Sequence, residues 1–232
     1  MIGRALHLAR RVREAHRNGA RVSARGVIDT IRLSVQATGR PWYEFPVIVA
    51  GPTVVRVSHH ASIEVDPDSR LVLGMGATQQ IFDVDRVRSA LVMLPRSRLH
   101  VSDGRVRLGW GTKVRIARRA SLVLGGGSFI NANCLIIANT SVTIGQRCSV
   151  AWRTTIMDAD YHLVASGRPR SAPVEIGSDV WVGTESIIMQ GTSIGSGAVV
   201  AARSVVRGVV PERALVAGLP ARVVRRDVSW QV

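Results

Sequence analysis

The sequence predicts an all-β fold, a solenoid of very short parallel strands, and three observations carry that prediction. Residues 173–207 read PVEIGSDVWVGTESIIMQGTSIGSGAVVAARSVVR, with an aliphatic residue at every sixth position: Ile176, Val182, Ile188, Ile194, Val200 and Val206. Glycine directly follows three of these, at Gly177, Gly183 and Gly195, and a second row of small or branched residues stands two places earlier at Val174, Val180, Thr192 and Ala198. The composition agrees: 46% of the chain is hydrophobic but only 4% aromatic, which suits a narrow core of Val, Ile, Leu and Ala. A period of six is neither the 3.6 of a helix nor a simple alternation. It fits a coil that turns a corner every six residues with one aliphatic side chain per turn inside, three turns to a triangular coil.

The 232 residues carry 31 Lys and Arg against 16 Asp and Glu, a net charge of +15, and Lys113 is the sole lysine. So positive a field favours anionic partners: CoA phosphates, phosphorylated glycans, an anionic membrane or nucleic acid. Cys134 and Cys148 have no metal-binding spacing and read as small buried residues of a cytoplasmic protein. Residues 1–18 predict a basic amphipathic helix with an apolar stripe of Ile2, Ala5, Leu6, Ala9 and Val12. Nine arginines up to Arg40 face only Glu14 and Asp29. The helix is expected to cap the solenoid or to bind an anionic membrane surface weakly. No signal-peptide core and no run of 18 apolar residues is present, so the expected location is cytoplasmic, at most peripheral to the inner face of the membrane. Residues 19–53 read as irregular, and the cluster Trp42-Tyr43-Glu44-Phe45 as a cover for an open solenoid end or a groove wall.

A looser repeat begins at Val55/Val57 and continues through Ile63/Val65, Leu71/Leu73, Leu99/Val101, Val106/Leu108, Val114/Ile116 and Leu122/Leu124. Residues 75–95 break the rhythm and predict an irregular excursion. The spacing tightens from Ile130 through Ile136, Val142, Ile144, Val150 and Ile156, then stops between Met157 and Pro173. A stretch of that length outside a tight solenoid predicts a protruding loop, where functional groups are expected on a rigid scaffold. The expected division is a cap over 1–53, a β-helix over 54–206 and a tail over 207–232.

The loop opens with Met157-Asp158-Ala159-Asp160-Tyr161-His162. A neutral imidazole can take a hydroxyl proton near neutral pH, and a nearby carboxylate can fix its tautomer. Asp158 and Asp160 are both candidates for that carboxylate. With the perfect repeat directly after it, this motif resembles the hexapeptide-repeat acyltransferases, which form a left-handed parallel β-helix. It is most similar to the bacterial sugar O-acetyltransferases of capsule, O-antigen and exopolysaccharide synthesis, with galactoside and maltose acetyltransferases as relatives. The resemblance covers residues 122–226.

The resemblance implies an acetyl-CoA-dependent O-acetyltransferase, homotrimeric, with sites between adjacent solenoids and a sugar, glycan or glycolipid acceptor. His162 is then the general base. Asn131, with Asn133 as the close second, matches an asparagine that faces the acceptor. Trp181 and Gly183, in the family's tryptophan motif, would lie along the donor cleft, with Ala201, Ala202 and Ser204 at its edge. The sequence departs from the family where Arg203 replaces a glycine and where Arg207 and Gly208 replace a Thr-Lys pair. Arg207 stands in for the cation. The ending from Val216 to Arg225 resembles the family's last motif, placing the turn around Pro220 against adenine and Arg222 and Arg225 against the phosphates. γ-Class carbonic anhydrases share the solenoid but need three histidines for zinc; only His162 lies in the repeat region, so no metal is expected. N-acylation of an amino sugar, or a basic scaffold without catalysis, are the alternatives. Sparse aromatics in the basic segments disfavour nucleic acid as a partner.

Overall fold

The structure, a computed structural model, describes residues 24–37, 44, 46–74, 87–162 and 170–231. The expected helix at 1–18, the aromatic residues at 42, 43 and 45, most of the expected excursion and residues 163–169 of the loop lie outside the described residues.

The chain visits three parallel sheets in fixed rotation. Val47–Val49 enters the first (sheet A), Thr53–Val57 the second (sheet B) and Ser62–Val65 the third (sheet C); Arg70–Leu73 then returns to pair with Val47–Val49. Three faces of a prism result, of nine, seven and seven strands. The six-residue series explains itself in this geometry. Ile176, Val182 and Ile188 point inward from sheets C, A and B, and Ile194, Val200 and Val206, eighteen residues on, stack on them in register. All six are at most 2% exposed.

The row two places earlier is complete, because Ser186 and Ser204 occupy its remaining positions and are fully buried. A polar atom is tolerated there only if bonded. Ser186 Oγ donates to the Ala201 carbonyl at 3.1 Å, and Thr192 Oγ1 to that of Met189 at 2.6 Å. Cys134 and Cys148 sit in the same row and do likewise, Sγ lying 3.1 Å from the Ala151 oxygen and 3.0 Å from that of Gly177. Both are free thiols. Burial pushes the Cys134 thiol up to about 12 and raises that of Cys148 as well. Glycine follows the inward aliphatic because the coils touch there: a Cβ on Gly183 would stand 2.5 Å from the Ala202 nitrogen.

Four expectations are corrected. Residues 75–95 are not irregular throughout, since Ser89–Met93 is a strand of sheet B with Leu91 and Met93 buried. Val92 and Leu94 flank these side chains and turn an alternation into a continuous apolar run. Residues 19–53 contain a helix, α1 (Ala24–Arg32), which continues into a π-type turn over Leu33–Ala37. Its buried face is polar, because it serves the open backbone of the first strand: Thr30 Oγ1 accepts from the Val49 amide at 2.9 Å, and Ser34 Oγ donates to the Val47 carbonyl at 3.3 Å. An apolar periodicity search therefore passes over it. The solenoid begins at Val47, not at residue 54. It also outlasts residue 206, through Val209–Val210 and Leu215–Gly218, after which Ala221–Arg225 folds back antiparallel on sheet A.

The three outer faces differ. Sheet C presents Ser121, Ser141, Thr143, Glu175 and Ser193, with Val123 among them and the exposed Val209 at its C-terminal end. Sheet A presents Trp181, against which Trp230 of the returning tail packs at 6.1 Å between ring centroids, its Nε1 donating to the Asp179 carbonyl at 2.7 Å. Sheet B presents Lys113 and Arg115 in one coil and then Leu135, Ile137, Met157, Ile187 and Val205, all partly exposed.

Candidate active site

The loop leaves the prism at the edge between sheets B and C, between Thr155–Met157 and Val174–Ile176. Its root closes on itself. The Asp160 amide donates to the Arg170 carbonyl at 2.9 Å, and the Ala172 amide to that of Asp158 at 3.0 Å. Asp158 is fully buried, and its carboxylate fastens the root to the coil before it. One oxygen accepts from the Asn139 amide at 2.6 Å; the other accepts from the amides of Thr140 and Ser141, both at 2.7 Å, and from Thr140 Oγ1 at 2.8 Å. Three converging amides and a hydroxyl are what a buried carboxylate requires.

Asp160 faces the coil on the other side. Its carboxylate accepts from Gln190 Nε2, and Arg207 Nη2 stands 3.9 Å from the same oxygen. Gln190 is buried, with its amide oxygen unpartnered among the described residues. Tyr161 takes a left-handed backbone angle, φ +61°, and its hydroxyl accepts from Arg115 Nη1 at 3.4 Å, so the loop bends back over sheet B. His162 is exposed, its amide donating to the Asp160 carbonyl at 2.8 Å. Its imidazole makes no hydrogen bond among the described residues, and neither aspartate reaches it.

The structure therefore divides the residues singled out in sequence between two edges. The B/C edge holds Asp158, Asp160, His162 and Arg207. The A/B edge holds Asn131, Asn133, Gly183, Ala201 and Ala202, successive coils hydrogen-bonding along it from Asn133 through Arg153 and Glu185 to Arg203. Asn131 Oδ1 accepts from the Ala132 amide at 2.8 Å, and Asn133 holds φ +59°, so both asparagines shape the corner. Trp181 lies on sheet A and is 43% exposed. Pro220, Arg222 and Arg225 belong to the exposed C-terminal hairpin, where Arg222 Nη1 bonds only the Ala221 carbonyl at 2.9 Å. In one chain, sheet B separates Asn131 from His162, and Arg207 pairs with the loop, away from the other expected donor contacts. Sequence reasoning missed Thr140, Gln190 and Trp230. Nothing marks the first two, which fill corner slots open to most residues; Trp230 is visible only as an aromatic in a charged tail.

Acidic and basic residues alternate along two edges. Arg147 grips Asp179 of the next coil through two 2.7 Å bonds, which hold that carboxyl below its ordinary value. Glu185 lies between Arg153, at 2.5 Å, and Arg203, at 2.9 Å, and its carboxyl is lowered for the same reason. Arg203 thus compensates its left-handed backbone angle, φ +60°, with an ion pair. Among the described residues no group of three His, Cys, Asp or Glu is placed to hold a metal, and no helix is long and apolar enough to cross a membrane.

Residues 173–208 match the family model "Bacterial transferase hexapeptide (six repeats)". An uncharacterized 24.8 kDa protein in the cps region of Klebsiella pneumoniae is 31% identical over 180 residues, 76% of this chain and 78% of that protein. The putative lipopolysaccharide biosynthesis O-acetyl transferase WbbJ of Escherichia coli K12 is 31% identical over 131 residues, 51% of this chain and 67% of that one. Galactoside O-acetyltransferase of the same strain is 31% identical over 110 residues, 46% of this chain and 54% of that one. With its unbroken six-residue core, its three-sheet prism and these relatives, the chain belongs to the hexapeptide-repeat transferases, and its fold is their left-handed β-helix.

Proposed function

We propose that the protein is an O-acetyltransferase that moves acetyl from acetyl-CoA to a hydroxyl of a sugar, glycan or glycolipid intermediate. The observation that carries this reading is His162, an exposed imidazole on a loop whose root is fastened on both sides. His162 removes the acceptor proton as the hydroxyl oxygen attacks the thioester carbonyl carbon. The C–S bond breaks, and the imidazolium returns the proton to the departing sulfur, so no acyl-enzyme is formed. Asp158 anchors the loop instead of orienting the imidazole, because both of its oxygens are already engaged. Asp160 sets the height of the loop through Gln190 and Arg207.

The site is completed by a second copy of the chain. Sheet B carries an apolar outer face from Leu135 onward, and its two edges carry the two halves of the expected site. Three copies, each setting this face against its neighbour, bring the His162 edge of one solenoid towards the Asn131 and Ala202 edge of the next. This arrangement accounts for the split and supports a homotrimer. The test is release of CoA thiol from acetyl-CoA with a panel of sugars, comparing the native protein with His162→Ala. Turnover should fall by about 10²–10⁴-fold, the usual contribution of a general base, while the trimer persists. Near-native turnover in the variant would remove His162 from the mechanism.

A further inference from the structure

The B/C edge that ends in the His162 loop carries an unbalanced run of positive charge. Its corners, in order, are His59 and His60, Pro95 and Arg96, Arg118 and Arg119, Asn139 and Thr140, and then the loop root. Arg98, the first residue of its strand in sheet C, stands beside them. Arg96, Arg98, Arg118 and Arg119 are exposed, and none has an ion-pair or hydrogen-bonding partner through its side chain among the described residues. Residues 87–128 hold nine basic residues against Asp103 alone.

The other two edges make this informative. There, corner arginines in the left-handed backbone region meet a carboxylate of an adjoining coil: Arg147 meets Asp179, and Arg203 meets Glu185. Arg96 and Arg119 occupy the same kind of corner at φ +62°, with no carboxylate to meet. A branched-off guanidinium is a costly choice for that backbone region, where Gly or Asn fits with less strain. Two neighbouring coils stand roughly 4.8 Å apart, so the four arginines rise from adjoining positions of two successive coils. The loop leans towards it, because Tyr161 bonds Arg115, three residues before Arg118 in the same coil. An anionic chain lying along this edge would run from the arginines directly to His162.

We infer that this edge is the binding track for an anionic acceptor: a saccharide chain bearing carboxylate or phosphate groups, held by Arg96, Arg98, Arg118 and Arg119 while a hydroxyl further along reaches His162. The inference rests on the acetyl-transfer reading for its last step alone.

The test uses fluorescently end-labelled oligogalacturonate and its fully methyl-esterified form, which keeps the sugar rings but loses the charges. Binding is read by fluorescence anisotropy on the full chain, and thiol release from acetyl-CoA is measured in parallel. The variant is Arg96→Asn/Arg118→Ser/Arg119→Asn, in which asparagine suits the left-handed corners, so the fold is retained. The acidic oligomer should bind the native protein more tightly than the ester. The variant should bind the acid roughly threefold to a hundredfold more weakly, at up to about fivefold per exposed charge contact, and the ester unchanged. Added salt should weaken the acid alone. Equal binding of acid and ester by the native protein overturns the track. So does a variant that keeps the acid but no longer sediments with phosphatidylglycerol vesicles, since the edge then reads a lipid surface. If binding follows the arginines but no acceptor is acetylated, the track stands and the acetyl-transfer reading fails.

Discussion

Asp158 allows the division between anchoring and chemistry to be measured. Its carboxylate accepts three backbone amides and one hydroxyl from residues 139–141 and is fully buried. Asp158→Ala leaves those donors without an acceptor. An unsatisfied buried donor costs about 1–3 kcal/mol. Thr140 and its neighbours are partly open to water, which lowers each cost to the bottom of that range, and the hydroxyl can turn away. Three amides then give a loss of about 3 kcal/mol. In a chain of this size that corresponds to a fall in Tm of roughly 6–12 °C. Asp158→Asn is gentler. Its amide oxygen can take the place where three donors converge, so only the Asn139 amide loses its partner, at a cost of about 1 kcal/mol plus the lost charge assistance. Thermal unfolding followed by circular dichroism, with turnover measured well below both midpoints, separates the roles. An Asp158→Asn protein with unchanged Tm and turnover reduced a hundredfold would refute the anchoring argument and return Asp158 to the reacting centre.

Two further outcomes follow from the structure. Arg222→Ala and Arg225→Ala, on the exposed hairpin, should raise KM for acetyl-CoA more than for its 3′-dephospho form; an equal rise would detach these arginines from the 3′-phosphate. Cys134 and Cys148 should resist alkylation in the folded protein at pH 8, because burial raises both thiols, Cys134 to about 12. Both should react once it is unfolded, and prompt labelling of either in the native state would contradict their place in the core.

The core was legible in the sequence because the solenoid repeats one demand. Each inward position must be aliphatic, so Ile176 and its five successors announce the prism without any long-range information. Legibility fell where the demand changed. The helix Ala24–Arg32 meets open strand backbone and so buries Asp29 and Thr30, which no apolar pattern can reveal. Ser186 and Ser204 belong to the second inner row, yet read as polar until their hydrogen bonds are seen. At the site, the stop in the repeat after Met157 marks where the chain leaves the prism, between the strands Thr155–Met157 and Val174–Ile176, and the Asp-Ala-Asp-Tyr-His run opens that loop. It did not separate the two aspartates, whose partners at Thr140 and Gln190 lie 18 and 30 residues away in the chain. Nor does spacing show that Asn131 and His162 stand on different edges, since an edge is a property of the coil count and not of distance along the sequence.

The two ends of the prism have a consequence for what the protein does not become. A stack of parallel coils has no intrinsic reason to stop: its last strands present free amides and carbonyls that another chain's first strands would fit, and repetition of that contact makes a fibre. Here the first strand of sheet A is met by the Thr30 and Ser34 hydroxyls, and the last by its own chain reversing direction over Ala221–Arg225. At the C-terminal end the other two terminal strands, Val205–Val206 and Val209–Val210, are two residues long, and Pro211 closes the second with a residue that has no amide proton to offer. Growth from the C-terminal end, and along sheet A from either end, is thereby disfavoured, and association is directed sideways, through the faces.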